Sequence, residues 1–340
     1  MTNSRIKVGI IGAGGIAAVH MEGYLANSDL IQVVAVADTV IESARRLADP
    51  LGAEVYTDYR EMLESEHIDA VDICLPHHLH VDAIVAAAEA GKHILCEKPI
   101  CVNREEAQRV LDVIERSGVV LMCAHNQLFS PPVVKARELL DSGLLGAIYR
   151  VRTTDCFFND FQPDTVGWRG AVASSGGGEL IDTGYHPTYL LAHLANAEPH
   201  EVIAMLSTHR LTFMEGEDSA EVLVRFSNGI VGTIATSWAY TSTATTERFS
   251  VVGEKGSIHS DGASLWYALR TGENERFDFP KGPVWQEYAD EIEHFARSLI
   301  AGTAPIHDHR DGIAVLGIIL AAYESARSGS VTPVEAISRA

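Results

Sequence analysis

Ile6-Lys7-Val8-Gly9-Ile10-Ile11-Gly12-Ala13-Gly14-Gly15-Ile16-Ala17 is an apolar strand, interrupted only by Lys7 and Gly9, that runs through a glycine turn into a helical stretch reaching Tyr24 and Leu25. Each small residue has a physical task in a dinucleotide-binding turn. Gly12 permits the tight turn, Gly14 lets backbone approach a pyrophosphate, and Ala17 allows helix and strand to pack closely. Gly15 and Ile16 open the helix, whose N–H groups and positive end face the phosphates. A second strand, Gln32 to Ala37, ends in Asp38, near the roughly 20-residue spacing expected for a ribose-binding acid. A carboxylate there accepts from both ribose hydroxyls and repels a 2′-phosphate. Thr39 and Val40 follow, with no arginine adjacent, so the expected cofactor is NAD rather than NADP. The competing reading is that Asp38 caps the next helix.

The alternation continues outward from this unit. A helix is expected over Asp58 to Ser65, a strand over Ala70 to Leu75 and a loop at Pro76. An alanine-rich helix from His80 to Ala90 is stopped by Gly91. Ile94-Leu95-Cys96-Glu97-Lys98-Pro99 is a short buried strand delivering a carboxylate, an ammonium and a proline to one point. A lysine leaving a buried strand is placed for a lowered pKa and proton chemistry. Asn103, with Glu106 three residues on, starts a helix to Arg116, and Val119 to Ala124 forms a further strand. Strands separated by helices in this way make a parallel, doubly wound sheet, whose ligands bind at the carboxyl ends of the strands. Gly12, Asp38, Pro76, Lys98 and Asn126 stand at those ends, so they are expected to line one crevice. Leu75, His80 and Glu97 flank them and join the expected cofactor contacts. His77, His78 and His80 lack a carboxylate or cysteine at matching spacing, and no metal is expected.

Composition narrows the function class. With 46 acidic against 26 basic side chains the net charge is −20, a field that repels polyphosphate and argues against nucleic acid. Five cysteines form no CxxC pair, the pattern of reduced, buried thiols in a cytoplasmic protein. The first residues, Met1 to Arg5, enter the strand pattern at once. The apolar run Gly312 to Tyr323 is too short to span a bilayer, so no membrane association is expected.

After Asn126 the pattern changes, and Pro131-Pro132 open the next helix. After a helix to Leu140 and a strand starting near Ala147, strands are expected over Val202 to Ser207, Ala220 to Phe226, Ile230 to Trp238 and Arg248 to Val252. Asn228-Gly229 signals a hairpin. This is a largely antiparallel sheet, one face covered by helices and the other free to pair with a second subunit. The last helix, Asp311 to Ser328, has apolar spacing suited to packing back on the core. The expected division is a dinucleotide-binding domain over 1–125 and a substrate and oligomerisation domain over 126–340. Between the parts lies Gly176-Gly177-Gly178-Glu179-Leu180-Ile181-Asp182-Thr183-Gly184-Tyr185-His186. The glycines permit close backbone approach. Asp182 and His186, four apart, share a face if one helix carries both, and an acid orienting a histidine makes a general base. Pro187 complicates that helix. Phe157-Phe158-Asn159-Asp160-Phe161 reads equally as a sugar platform or as three core or interface phenylalanines.

The GAGGIA turn, Glu97-Lys98-Pro99 and the GGGxxxDxGxH pattern at 176–186 together resemble the Gfo/Idh/MocA oxidoreductases, and the resemblance covers nearly the whole chain. It implies a Rossmann domain followed by an α/β domain with a large, mostly antiparallel open sheet that forms homodimers or homotetramers. It also implies oxidation of a secondary hydroxyl on a sugar, inositol or other polyol. Lys98 matches the family's active-site lysine, Asp182 its acid and His186 its base. Trp168-Arg169 looks like the pair near nicotinamide and substrate. Substrate contacts are expected from Lys98, Gln127, Arg169, Asp182 and His186. Either Lys98 or His186 takes the hydroxyl proton. The chain departs from the family at Gln127 and Leu128, where arginine is common, and at Tyr189, where an acid often stands. Two other functions use the same scaffold: a glycosidase-type enzyme that recycles its bound NAD, and a sugar- or dinucleotide-sensing regulator without chemistry.

Overall fold

The computed structural model describes residues 5–240 and 247–337, so the Met1–Ser4 part of the N-terminal reading lies outside the described residues. The described residues divide into two compact units, one of residues 5–126 and 282–313, the other of 127–240, 247–281 and 314–337.

The first unit begins with β1 (Ile6–Ile11), α1 (Gly15–Ala26), β2 (Ile31–Ala37), α2 (Ile41–Ala48), β3 (Glu54–Tyr56) and α3 (Tyr59–Leu63). It continues with β4 (Ala70–Ile73), α4 (His80–Glu89), β5 (His93–Glu97), α5 (Arg104–Ser117) and β6 (Leu121–Ala124). The strands form a parallel six-stranded sheet in the order β3-β2-β1-β4-β5-β6. All residues of β4 and β6 are buried, as expected of parallel strands covered on both faces. The helix ends follow local chemistry. Gly91 takes φ +71° just after α4, and the Asn103 side chain accepts from the Glu106 N–H at 2.9 Å to cap α5. The strand order reverses at β1, so the crevice for a ligand opens beyond the carboxyl ends of β1 and β4.

The second unit contains α6 (Pro131–Asp141), β7 (Ile148–Cys156), α7 (Val172–Ser175), α8 (Glu179–Asp182) and α9 (Tyr185–Ala195). Then come β8 (Pro199–Ser207), β9 (Ser219–Phe226), β10 (Val231–Ser237), β11 (Phe249–Gly253), β12 (Gly256–Ser260), β13 (Ser264–Leu269) and β14 (Asn274–Asp278). The chain ends through α10 (Gln286–Ala301), α11 (His309–Ser328) and β15 (Thr332–Pro333). Nine strands pair in the order β14-β13-β12-β11-β7-β10-β9-β8-β15. Every pair is antiparallel except β7 with β10. Gly229 at φ +88° closes the β9–β10 hairpin where Asn228-Gly229 signalled it. α9 covers one face, tied down where the Thr153 hydroxyl donates to the Pro187 carbonyl at 2.8 Å.

The sequence reading did not anticipate β3, β12 to β15 or α10. Nor does 126–340 form one unbroken unit, because residues 282–313 belong with the first. The reason is a long-range fit. Gly23 of α1 leaves room for α10, since a Cβ there would lie 3.2 Å from the Ala289 backbone, and the Asn27 amide donates to the Ala289 carbonyl at 2.8 Å.

Candidate active site

The glycine turn has the shape its sequence demands. Gly12 takes φ +95°, and a side chain there would meet the Cys74 carbonyl at 2.5 Å, so only glycine fits. At Gly14 and Gly15 an added Cβ would meet nothing within 4 Å, leaving the turn open beside the first N–H groups of α1, which no side chain caps. Ala17 is fully buried against the sheet. A cavity of about 400 Å³ adjoins the turn, lined among others by Gly12, Asp38, Tyr59, Arg60, Leu75 and Pro76. Asp38 is held rigidly there, one oxygen accepting from the Ala13 N–H at 2.7 Å and the other from Val40 at 2.8 Å. Open glycines, a helix N-terminus and a fixed acid fit a dinucleotide's pyrophosphate and ribose. Arg60 lies on the helix expected over 58–65 and was missed because nothing in the local sequence shows that this helix borders the same cavity as Asp38.

Lys98 is partly buried where β5 ends and precedes a cis proline. The loops around it are clamped by His80, fully buried, with Nδ1 2.7 Å from the Pro99 carbonyl and Nε2 2.7 Å from the Leu75 carbonyl. Both ring nitrogens therefore meet backbone, where sequence reasoning had expected a cofactor contact. Burial pushes the His80 pKa down despite the two carbonyls. Glu97 also points its oxygens at the protein: Oε1 lies 3.1 Å from His20 Nε2, and Oε2 accepts from the Lys98 N–H at 3.1 Å. Burial pushes the Glu97 carboxyl up, but His20, Lys98 and His80 outweigh it and hold it below the usual range. His20 Nδ1 meets Asp72 at 2.8 Å; burial opposes its charge, yet Asp72 and Cys74 raise its pKa well above normal. Among the described residues, His20, Asp72 and Cys74 form the one trio with metal-ligand atoms within 4.8 Å of one another. Asn126, buried after β6, donates weakly to Glu287 at 3.4 Å.

In the second unit, Trp168-Arg169 lies in a tight turn over Gly167–Gly170, with the guanidinium 4.3 Å from the Trp168 ring centre. Arg169 Nε donates to Asp182, whose side chain is nearly buried. Asp182 and His186 are not on one helix: α8 ends at Asp182 and α9 begins at Tyr185. The break removes the difficulty with Pro187, because a proline in the first turn of α9 forfeits no helical bond. The glycines before α8 admit neighbours within the unit; a Cβ at Gly178 would overlap the Glu217 backbone and one at Gly177 the Tyr323 ring.

His186 Nδ1 lies 2.8 Å from the Tyr189 hydroxyl, which accepts from the Gln127 N–H at 3.1 Å. The Gln127 Oε1 accepts from Arg248 at 2.6 Å, and Arg248 pairs with Asp155 at 2.6 Å. Sequence reasoning named Gln127 as a substrate contact and as a departure, named Tyr189 only as a departure, and missed Arg248 and Asp155. No local pattern marks them, since Gln127 and Arg248 are far apart in the chain. The phenylalanine loop divides. Phe161 packs edge-on to Trp238 at 5.3 Å, whereas Phe157 and Phe158 are exposed, Phe158 beneath Arg210 at 4.1 Å.

The chain is similar to known proteins over most of its length. Residues 6–125 match a family described as an oxidoreductase family with an NAD-binding Rossmann fold, and residues 133–259 match the GFO/IDH/MocA C-terminal domain. The rhizopine catabolism protein MocA of Rhizobium meliloti is 34% identical over 236 residues, covering 68% of this chain and 71% of that protein. The D-glucoside 3-dehydrogenase of Escherichia coli is 30% identical over 360 residues, covering 97% of this chain and 98% of that protein. A levoglucosan dehydrogenase solved with NADH and levoglucosan superposes with a TM-score of 0.88 at 26% identity, over 97% of this chain and all (100%) of the other. The chain belongs to the GFO/IDH/MocA family of NAD-binding oxidoreductases.

Proposed function

We propose that the protein is an NAD-dependent dehydrogenase that oxidises a secondary hydroxyl of a sugar, an inositol or a close derivative by hydride transfer. The observation that carries the reading is likeness over 97% of the chain to a sugar dehydrogenase solved with NADH and its sugar. Bound NAD supplies the hydride acceptor. Gly12, Gly14, Gly15 and Ile16 receive the pyrophosphate, and Asp38 the ribose. Leu75, Pro76, Asn126, Trp168 and Arg169 border the rest of the cofactor, while Glu97 and His80 hold the Lys98 segment in place. His186 takes the proton of the reacting hydroxyl. Lys98 stabilises the negative charge growing on that oxygen, where a fixed cation lowers the barrier most. Asp182, held by Arg169, orients the hydroxyl, and Gln127 contributes to the grip on the sugar.

The test is a screen of inositols, hexoses, deoxy-sugars and glycosides for NADH absorbance. NADH formation with at least one, abolished by Lys98→Met, is the expected result. Glycoside cleavage by protein that retains its NAD without net NADH would replace the reading with internal cofactor recycling.

The working form is proposed to be a homodimer or homotetramer joined through the second unit's sheet. On its uncovered face Ile203 pairs with Leu223 across strands, and Met205 beside them is 77% exposed, an apolar patch suited to a second copy. All five cysteines are free, which supports placement in the reducing cytoplasm. Among the described residues no helix is long and apolar enough to cross a membrane.

A further inference from the structure

We infer that Tyr189 is the positioning residue for His186: its hydroxyl, pinned by the Gln127 backbone N–H, holds the imidazole by Nδ1 with a neutral oxygen, and so keeps the ring less basic than a carboxylate at the same place would. The inference rests on the reading that His186 handles the substrate's proton.

The geometry carries it in three steps. A backbone N–H can only donate, so the 3.1 Å bond from Gln127 fixes where the Tyr189 oxygen sits, whatever the tautomer of the histidine. Tyr189 is fully buried and meets Tyr185 edge-on with ring centres 6.4 Å apart, so the hydroxyl is part of the packed core. The imidazole meets it at 2.8 Å through Nδ1, with the two rings at 74°, and fixing Nδ1 sets the direction of Nε2.

The anchor is itself anchored. A guanidinium has donors only, so the 2.6 Å bond from Arg248 requires the oxygen of the Gln127 amide to face it and turns the amide NH2 the other way. Arg248 is in turn paired with Asp155 of β7. One run of hydrogen bonds thus links β7, the Gln127 turn and the start of α9, and it joins Gln127 and Tyr189.

Charge decides the consequence. Titratable groups on the elements that carry this link include Asp182 and Glu179 of α8, Tyr185 and Tyr189 of α9, Asp155 of β7 and Arg248. Asp182 is engaged by Arg169 and Asp155 by Arg248, while burial pushes the Glu179 carboxyl well up, toward its neutral form. The bond to Nδ1 comes from a hydroxyl. An anion there favours the imidazolium; a neutral oxygen does so far less, which leaves the ring able to accept a proton near neutral pH.

The test reads His186 directly. The full-length chain with NAD bound is titrated by NMR, following the His186 ring carbons and nitrogens in the wild type, Tyr189→Phe and Tyr189→Glu. In Tyr189→Glu the His186 midpoint is expected to rise by about one pH unit or more, and the acid limb of kcat/KM with levoglucosan or myo-inositol to move up with it. Tyr189→Phe is expected to change the Nδ1 resonance and lower kcat by about tenfold, with the affinity for NAD unchanged. A folded Tyr189→Glu whose His186 titrates as in the wild type overturns the inference. Should that variant fail to fold, an unaltered Nδ1 resonance in Tyr189→Phe overturns it equally. Resonance shifts as expected, from a protein that oxidises no sugar, would leave the link standing and remove the dehydrogenase reading instead.

Discussion

The two units hold their candidate functional residues by different means. In the parallel sheet of the first unit, backbone does the holding. Gly12 is placed by its φ angle and the Cys74 carbonyl, Asp38 by two backbone N–H groups, and Lys98 by a loop that His80 clamps through two carbonyls. In the second unit the candidate residues sit on short helices and turns beside an antiparallel sheet and are held by side chains: Asp182 by Arg169, His186 by Tyr189, Gln127 by Arg248. A frame made of backbone tolerates changes around it and leaves each functional side chain to be tested alone. A frame made of side chains transmits every substitution to its neighbours.

The largest expected effect tests the first half of that contrast. Lys98→Met should lower turnover by about 10²–10⁴-fold while leaving NAD affinity largely intact, because the proposed pyrophosphate and ribose contacts at Gly12, Gly14 and Asp38 are set at other strand ends. A large loss of NAD binding in equilibrium titrations would show that the cradle is not independent of the lysine.

The next is a stability effect in the same unit. His307 lies 2.8 Å from His125, nitrogen to nitrogen, and burial pushes its pKa down to about 4. A histidine depressed in the folded state is protonated more readily when unfolded. Stability is therefore full above the ordinary histidine range and is lost as pH falls toward 4. The loss should approach about 3 kcal/mol in urea unfolding, and His307→Gln should flatten that slope. An unchanged slope in the variant would place the acid sensitivity elsewhere.

A smaller change concerns the cofactor. Asp38→Ser removes the acid but leaves Arg60 lining the same cavity. The ratio of kcat/KM for NAD to that for NADP should fall by about tenfold or more. If the ratio holds, Asp38 does not discriminate between the two.

The smallest expected effect tests the second half. Arg248→Met removes no proposed catalytic group but frees the Gln127 amide, and should raise the KM for the sugar by about three- to tenfold, with the NAD KM unchanged. An effect confined to thermal stability would mean that the side-chain frame supports the fold but not the site.

The first unit was legible because its signals are local. A strand, a glycine turn, a helix and an acid at a set distance are all written within a few dozen consecutive residues, and period and punctuation report them directly. Asn103 with Glu106, Gly91, and Asn228-Gly229 were readable for the same reason. β3 escaped because three residues carry too little pattern, and α10 because its membership of the first unit rests on Gly23 and Asn27 reaching Ala289.

What the sequence determined by itself is the parallel sheet, the strand ends at which Gly12, Asp38 and Lys98 emerge, and the family. Local backbone geometry and side-chain period decide those. Tertiary structure alone decided that Asp182 answers to Arg169, that His186 answers to Tyr189, and that Gln127 and Arg248 meet. Hydrogen bonds between residues far apart in the chain leave no periodic trace, and a tyrosine three residues past a histidine reads as core until its hydroxyl is seen to have a partner.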